Sequence, residues 1–340
     1  MYKIYLNDDV IRNFRNTIND YIDFSLAKKY KNNDNAWNSI CALMDRIEDI
    51  VIYLNEKELN TGKWNRCAFD FFEFIEQAGV LIECIDELYK IYDIKANKAK
   101  TIFKHKEIND KYLSKLKEEN KIAKVGDLNY FGYIRSLSSV HPGKTDRHKE
   151  FQFANFEVSP YVVWNGGIYA LDPRCNGEII LVTYNNETDQ MLINKSIYIK
   201  EIFNFIKYKY YSINNLTKYV KKYYLNEIKT LRDTPIRKRN DLKNNLEYLN
   251  NLVNESKKRC PNITNEIQEV IDIFNQQITR EENINKYNKY CNALLYSMKG
   301  IHRQLQNMDF KCESPIDNLL FKLLVGEIHL KNNAKMNYSY

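Results

Sequence analysis

The sequence predicts a mainly α protein: an N-terminal helical bundle, a short antiparallel β meander and a C-terminal helical region. Three observations predict it. Only 10 Gly and 6 Pro punctuate 340 residues, and long uninterrupted stretches favour helices over a many-stranded sandwich. Apolar residues make up 44% of the chain, with 26 Tyr, 16 Phe and 3 Trp, so a large core can form and disorder is not expected. The apolar spacing is helical as far as about His141, becomes β-type between Val158 and Asn194, and turns helical again after Ser196.

In the first helix Asp8 or Asp9 is the cap, and Val10, Phe14, Ile18, Tyr21, Ile22 and Phe24 recur near helical spacing. Asp34-Asn35 opens the second, with the stripe Trp37, Ile40, Cys41, Met44, Ile47, Val51 and Leu54, ending before Thr61-Gly62. The third runs from Trp64 to Tyr92; it is the most apolar and is expected at the centre of the bundle. A Lys-rich interval over 95–124 follows, and Gly126-Asp127 then opens a short helix bearing Tyr130, Phe131, Tyr133, Ile134, Leu137 and Val140. Pro142 disfavours helical backbone at the residue before it, so this helix ends at about Val140 or His141.

Four short runs form the meander: Val158 to Trp164, Ile168 to Leu171, Glu178 to Tyr184 and Gln190 to Asn194, separated by Gly-, Pro- and Asn-containing turns. Helices are then expected over Ile197 to Lys229, Asp241 to Arg259, Thr264 to Arg303 with one break, and Pro315 to His329. The domains expected from these boundaries are 1–150, 151–196 and 197–340. No repeat of 20–50 residues is visible, which argues against a solenoid.

Charge narrows the function classes. The net +7 hides two basic segments: 98–150 carries 13 basic and 7 acidic groups, and 195–240 carries 12 and 3. Such segments create a local field attractive to a polyanion, although a solvated helical face is the plainer explanation. No apolar run approaches the roughly 18–20 residues of a membrane span, and Met1 to Asp9 has no apolar core of a secretory signal. A soluble, cytoplasmic protein without membrane partners is therefore expected. Seven scattered Cys with no Cys-x-x-Cys pair read as reduced thiols rather than a disulfide framework or zinc site. His-Glu-x-x-His, Gly-x-Ser-x-Gly and Gly-x-Gly-x-x-Gly are all absent. Pro142-Gly143-Lys144-Thr145 ends like a phosphate-binding loop, but Ser138 stands where that loop needs its first Gly. Neither a metal nor a cofactor is expected.

The segment that stands out is Tyr130-Phe131-Gly132-Tyr133-Ile134-Arg135-Ser136-Leu137-Ser138-Ser139-Val140-His141-Pro142, with five residues between Arg135 and His141. It resembles the Arg-x(4–6)-His motif of HEPN-domain ribonucleases, a helical family found in toxins, abortive-infection proteins and RNA-guided effectors. The resemblance covers the helical region up to about residue 150. Ser136 stands where that family typically has Asn, Asp or His. The resemblance implies an HEPN-like N-terminal bundle and a metal-independent endoribonuclease in phage defence or a toxin system. It also implies a homodimeric site combining Arg135 and His141 of both chains, a 2′,3′-cyclic phosphate product, and a possible antitoxin or other protein partner.

The residue chemistry suits that reaction. Cleavage by the ribose 2′-hydroxyl needs a base, an acid and positive charge at the phosphate; imidazole moves protons near neutral pH and guanidinium matches phosphate oxygens. On an ideal helix His141 would sit about 120° round from Arg135, and Pro142 releases it from the helical lattice. The plainer reading makes Arg135 an exposed helix residue and His141 a C-terminal cap. Lys144, Arg147 and His148 are candidate RNA contacts. So are Lys221 and Lys222, in a Tyr-rich basic stretch whose mixture of cations and rings suits single-stranded RNA, and Arg237, Lys238 and Arg239 beyond Pro235. The alternative from another class is a non-catalytic helical module that binds RNA or protein.

Overall fold

Apolar side chains spaced at 3.6 residues form helices here because only that period brings them to one face. The computed structural model describes residues 2–31, 34–60, 64–95, 101–106, 108, 114, 117, 118, 126–138, 148–152, 158–164, 176–184 and 192–310, and it is mainly helical. The described helices are α1 (Asp9–Asp20), α2 (Ile22–Ala27), α3 (Trp37–Glu56), α4 (Trp64–Ile91), α5 (Asp127–Ser138), α6 (Ile199–Tyr211), α7 (Ile213–Asp233), α8 (Asn245–Arg259), α9 (Thr264–Phe274) and α10 (Glu281–Asn307). A ribbon pairs β1 (Lys29–Tyr30) with β2 (Asp34–Asn35). A three-stranded antiparallel sheet runs β3 (Val158–Trp164), β4 (Ile179–Tyr184), β5 (Leu192–Ile197).

The chain folds as two compact units, Met1–Asn16 with Asn38–Lys218, and Thr17–Trp37 with Tyr219–Tyr340. This division differs from the segments 1–150, 151–196 and 197–340. The difference comes from contacts distant in sequence: Tyr21 and Phe24 lie 5.4 and 6.0 Å from the Tyr224 ring, and the Ser25 and Tyr224 hydroxyls are 2.9 Å apart. No shift in composition announces them.

In the first unit α4 is the organising helix. Phe71, Phe74, Ile75, Ala78, Leu81, Ile82, Ile85 and Leu88 are buried along it, and it packs on α5, α6 and β3. The most apolar stripe is thus buried against the helix that carries Arg135, as its composition predicts. Aromatic packing fixes α5: Phe103 meets Tyr130 at 5.0 Å and Phe205 at 5.2 Å, Phe131 meets Phe205 at 5.4 Å, and Tyr130 meets Phe151 at 5.1 Å. Each such pair contributes about 0.5–1.5 kcal/mol beyond the burial of its area.

The sheet forms where the period changes to two. Its central strand buries Ile179, Ile180 and Leu181, and Leu181 pairs with Val162 on one side and Lys195 on the other. Lys195 is buried because its ammonium donates to the Phe151 carbonyl at 3.1 Å and lies 4.9 Å over the Tyr133 ring, which offsets its desolvation. Three of the four expected strands are described; Ile168 to Leu171 lies outside the described residues. The last strand continues to Ile197, and the Glu178 carboxylate accepts the Ile199 N–H at 3.1 Å, so α6 opens two residues later than expected.

The expected helix over 197–229 is divided at Ser212. There the Tyr89 hydroxyl donates to the Ser212 carbonyl at 2.9 Å, and the Ser212 hydroxyl donates to the Lys209 carbonyl at 2.6 Å. The first helix is likewise broken at Tyr21 (φ −122°, ψ 39°), next to the Ser25 hydroxyl, which lies 3.1 Å from the Ile18 and Tyr21 carbonyls. Pro315 to His329 lies outside the described residues.

The second unit buries Tyr248, Leu249 and Leu252 of α8, Ile267 and Val270 of α9, and Leu294, Met298, Ile301 and Leu305 of α10 in one cluster. Asn244 opens α8, its side chain accepting the Glu247 N–H at 2.9 Å. The wholly buried side chain of Arg259 holds the unit together. It donates to Glu255 at 2.8 Å, to the Leu231 carbonyl at 2.7 Å, to Leu305 at 3.3 Å and to Thr234 at 3.0 Å. Those carbonyls lie at the ends of α7 and α10, where helix geometry leaves acceptors unpaired and favours a cation.

Candidate functional site

Burial of Tyr130, Phe131, Tyr133, Ile134 and Leu137 leaves Arg135 at the rim of α5, its side chain 27% exposed. The guanidinium donates through Nε and Nη2 to Glu76 Oε2 at 3.1 and 3.0 Å, and through Nη1 to Glu83. Glu76, Gly79 and Glu83 are spaced three and four apart on α4 and therefore share a face. Gly79 is the bed of this cradle: a Cβ there would come within 2.7–2.8 Å of Arg135 Nε, Cδ and Cζ. Partial burial pulls the Arg135 guanidinium down, and its bonds to Glu76 and Glu83 outweigh that, so its pKa is raised overall. One guanidinium between two carboxylates leaves a formal charge of −1. A phosphate can pair with Arg135 only once a carboxylate withdraws; Glu83, 65% exposed, can do so cheaply.

The rest of the motif divides. Ser136, at the position where the resembled family has Asn, Asp or His, spends its hydroxyl on the Tyr133 carbonyl at 2.8 Å. His141, Lys144 and Arg147 lie outside the described residues. His148 adopts a left-handed backbone (φ 59°, ψ 41°), unusual for a residue with a side chain. Its ring rests on α5 at Gly132, where a Cβ would meet Nε2 at 2.9 Å. Its Nδ1 lies 3.9 Å from Glu150, which also accepts from Asn129 at 3.4 Å. The His148 ring thus rests on α5 at Gly132, one helical turn before Arg135, whose own side chain is held against α4.

The second unit bears the other candidates. Val220 and Tyr224 turn one side of α7 inward, which leaves Lys221, Lys222, Leu225, Lys229 and Arg232 exposed. Tyr219 is also exposed. Beyond α7, Arg237 Nη2 reaches the Asp241 carbonyl at 3.5 Å, the Lys238 N–H donates to the Asp241 carboxylate at 3.1 Å, and Arg239 donates to Asn245 at 2.8 Å. All three side chains are exposed. From 219 to 243 the chain has eight basic and three acidic residues.

Sequence reasoning missed Glu76, Gly79 and Glu83. The available signal was two carboxylates spaced around a Gly on the most apolar helix. It also took Arg259 only as a helix terminus, because a guanidinium that gathers carbonyls from distant segments leaves no local pattern.

Thiol and metal chemistry find no support among the described residues. Burial pushes the Cys67 thiol up to about 11 and the Cys260 thiol up to about 12, the reverse of nucleophile activation. Among the described residues no group of three or more His, Cys, Asp or Glu side chains is gathered to hold a metal, and none of the described helices is long and apolar enough to cross a membrane. Comparison of the chain with protein-family models, curated proteins and solved structures finds no match.

Proposed function

We propose that this protein binds single-stranded RNA through the exposed face of α7 and the Arg237–Arg239 loop. The observation that carries this reading is Lys221, Lys222 and Lys229, exposed without carboxylate partners among the described residues and preceded on the same helix by the exposed ring of Tyr219. Cations spaced along a helix neutralise phosphates, and an exposed ring stacks a base. Fluorescence anisotropy with a labelled oligouridylate tests it. Replacing Lys221, Lys222 and Lys229 with Gln should weaken binding and reduce the slope of log affinity against log salt by about 2, at about 0.7 per lost phosphate contact. An unchanged slope counts against the reading.

Cleavage is the second reading, favoured by the partly exposed position of Arg135 at the rim of α5, beside an exposed Glu83. In it, Arg135 neutralises the scissile phosphate after Glu83 withdraws. His141 exchanges protons with the 2′-hydroxyl and the 5′-oxygen, and two copies of the chain supply the paired groups. The product is a 2′,3′-cyclic phosphate, and a part in defence or toxicity follows from the resemblance alone. Chelator-resistant cleavage of RNA but not DNA is expected, with Arg135→Ala and His141→Ala each at least about 10² slower. Magnesium dependence, or cleavage that survives His141→Ala, overturns this reading and leaves Arg135 as a clamp between α5 and α4.

A further inference from the structure

The solvent face of α10 has a composition that packing does not explain. From Asn283 to Met308 the chain contains no Asp or Glu. Tyr290, Leu294, Met298, Ile301 and Leu305 turn inward to the core, and the opposite side presents Lys289, Asn292, Tyr296, Lys299 and Arg303, all exposed. Their spacing of three and four residues aligns them in one row, about 21 Å long at 1.5 Å per residue.

Two features separate this row from an ordinary solvated face. Exposed helices commonly mix charge signs and gain from Glu–Lys pairs four apart, whereas Lys289 and Arg303 have no carboxylate partner among the described residues. Tyr296 is 77% exposed, the most exposed large apolar side chain described. The Lys299 ammonium stands 5.9 Å from its ring centroid, so ring and cation are presented together.

The row leads to the basic loop. Gln306 Nε2 donates to the Arg232 and Thr234 carbonyls at 2.8 and 3.3 Å, and its Oε1 accepts the Ile236 N–H at 2.7 Å. Arg232 Nε donates to the Asn307 carbonyl at 2.7 Å. The segment that begins the Arg237–Arg239 loop is therefore tied to the last turn of α10, next to Arg303.

Extending the RNA reading above, on which this step rests, we propose that the exposed face of α10 is a second surface for single-stranded RNA. Tyr296 is its stacking platform, and Lys289, Lys299 and Arg303 are its phosphate contacts. Unpaired bases are the ligand that uses both a projecting ring and a spaced row of cations; an acidic peptide would use only the cations.

The test uses the full chain, a labelled oligouridylate and an RNA hairpin duplex, with anisotropy measured over a potassium chloride series. The triple variant K289Q/K299Q/R303Q should bind the oligouridylate at least about tenfold more weakly, with the salt slope reduced by about 2. Tyr296→Ala should cost about tenfold or more and Tyr296→Phe little, because stacking needs the ring and not the hydroxyl. All four side chains are exposed, and circular dichroism checks that the fold is retained. If the α10 variants bind as the parent does while K221Q/K222Q/K229Q weakens, the α10 surface is refuted and the α7 surface stands. If only the α10 variants weaken, the α10 surface stands and the α7 assignment falls. A parent that binds neither RNA overturns both, and equal binding of duplex with no effect of Tyr296→Ala, or equal competition by polyglutamate, overturns the stacking role.

Discussion

Arg135 and Gly79 are coupled by contact, so their substitutions should not add. Ala in place of Gly within a helix gains about 0.5–1 kcal/mol, but a Cβ at 79 displaces the Arg135 guanidinium from Glu76, a loss of up to about 1 kcal/mol. Gly79→Ala should therefore be nearly neutral in the parent and stabilising by about 0.5–1 kcal/mol in an Arg135→Ala background; urea unfolding of the four proteins measures the difference. Arg259 is more exacting. Arg259→Met leaves the Leu231, Thr234 and Leu305 carbonyls without their donor and should cost about 3–5 kcal/mol. Arg259→Lys should recover only part of this, because an ammonium lacks the planar fork. Arg135 was visible in the sequence because a motif names it, and Arg259 was not because the carbonyls it gathers lie 25–46 residues away in the chain.

Among elements, α10 gives the unit a pH dependence. Burial, and then the charges of Arg259 and Lys238, hold His302 below its ordinary value, and its Nδ1 lies 3.3 Å from the Tyr248 hydroxyl. In the unfolded chain this imidazole protonates near pH 6.5. Below about that pH the unfolded state binds a proton that the folded state resists, so stability is lost as pH falls. The parent should melt at a lower temperature at pH 5 than at pH 7.5, and His302→Gln should show a smaller difference. Helix identity was legible from periodicity, and α3, α4 and α5 begin within a few residues of their expected starts. The breaks at Tyr21 and Ser212 were not, since each coincides with hydroxyl-to-carbonyl bonds that lie within a favourable apolar pattern. The β1–β2 ribbon was also missed, being two residues per strand.

For the whole molecule, the mainly helical class and the antiparallel sheet were legible because composition and period are global properties. The pairing of 17–37 with the C-terminal helices was not, since it depends on which apolar faces meet. The cleavage reading requires groups from two chains, so a dimer at micromolar concentration is expected by light scattering; a monomer that still cleaves RNA contradicts the shared site. Arg259 carries a further consequence for motion in the second unit. Helix ends ordinarily fray one at a time, but the last turns of α7 and α10 are acceptors of a single guanidinium. Native-state hydrogen exchange should therefore find the amides of both turns opening in one cooperative event, at a free energy that falls for both together in Arg259→Met.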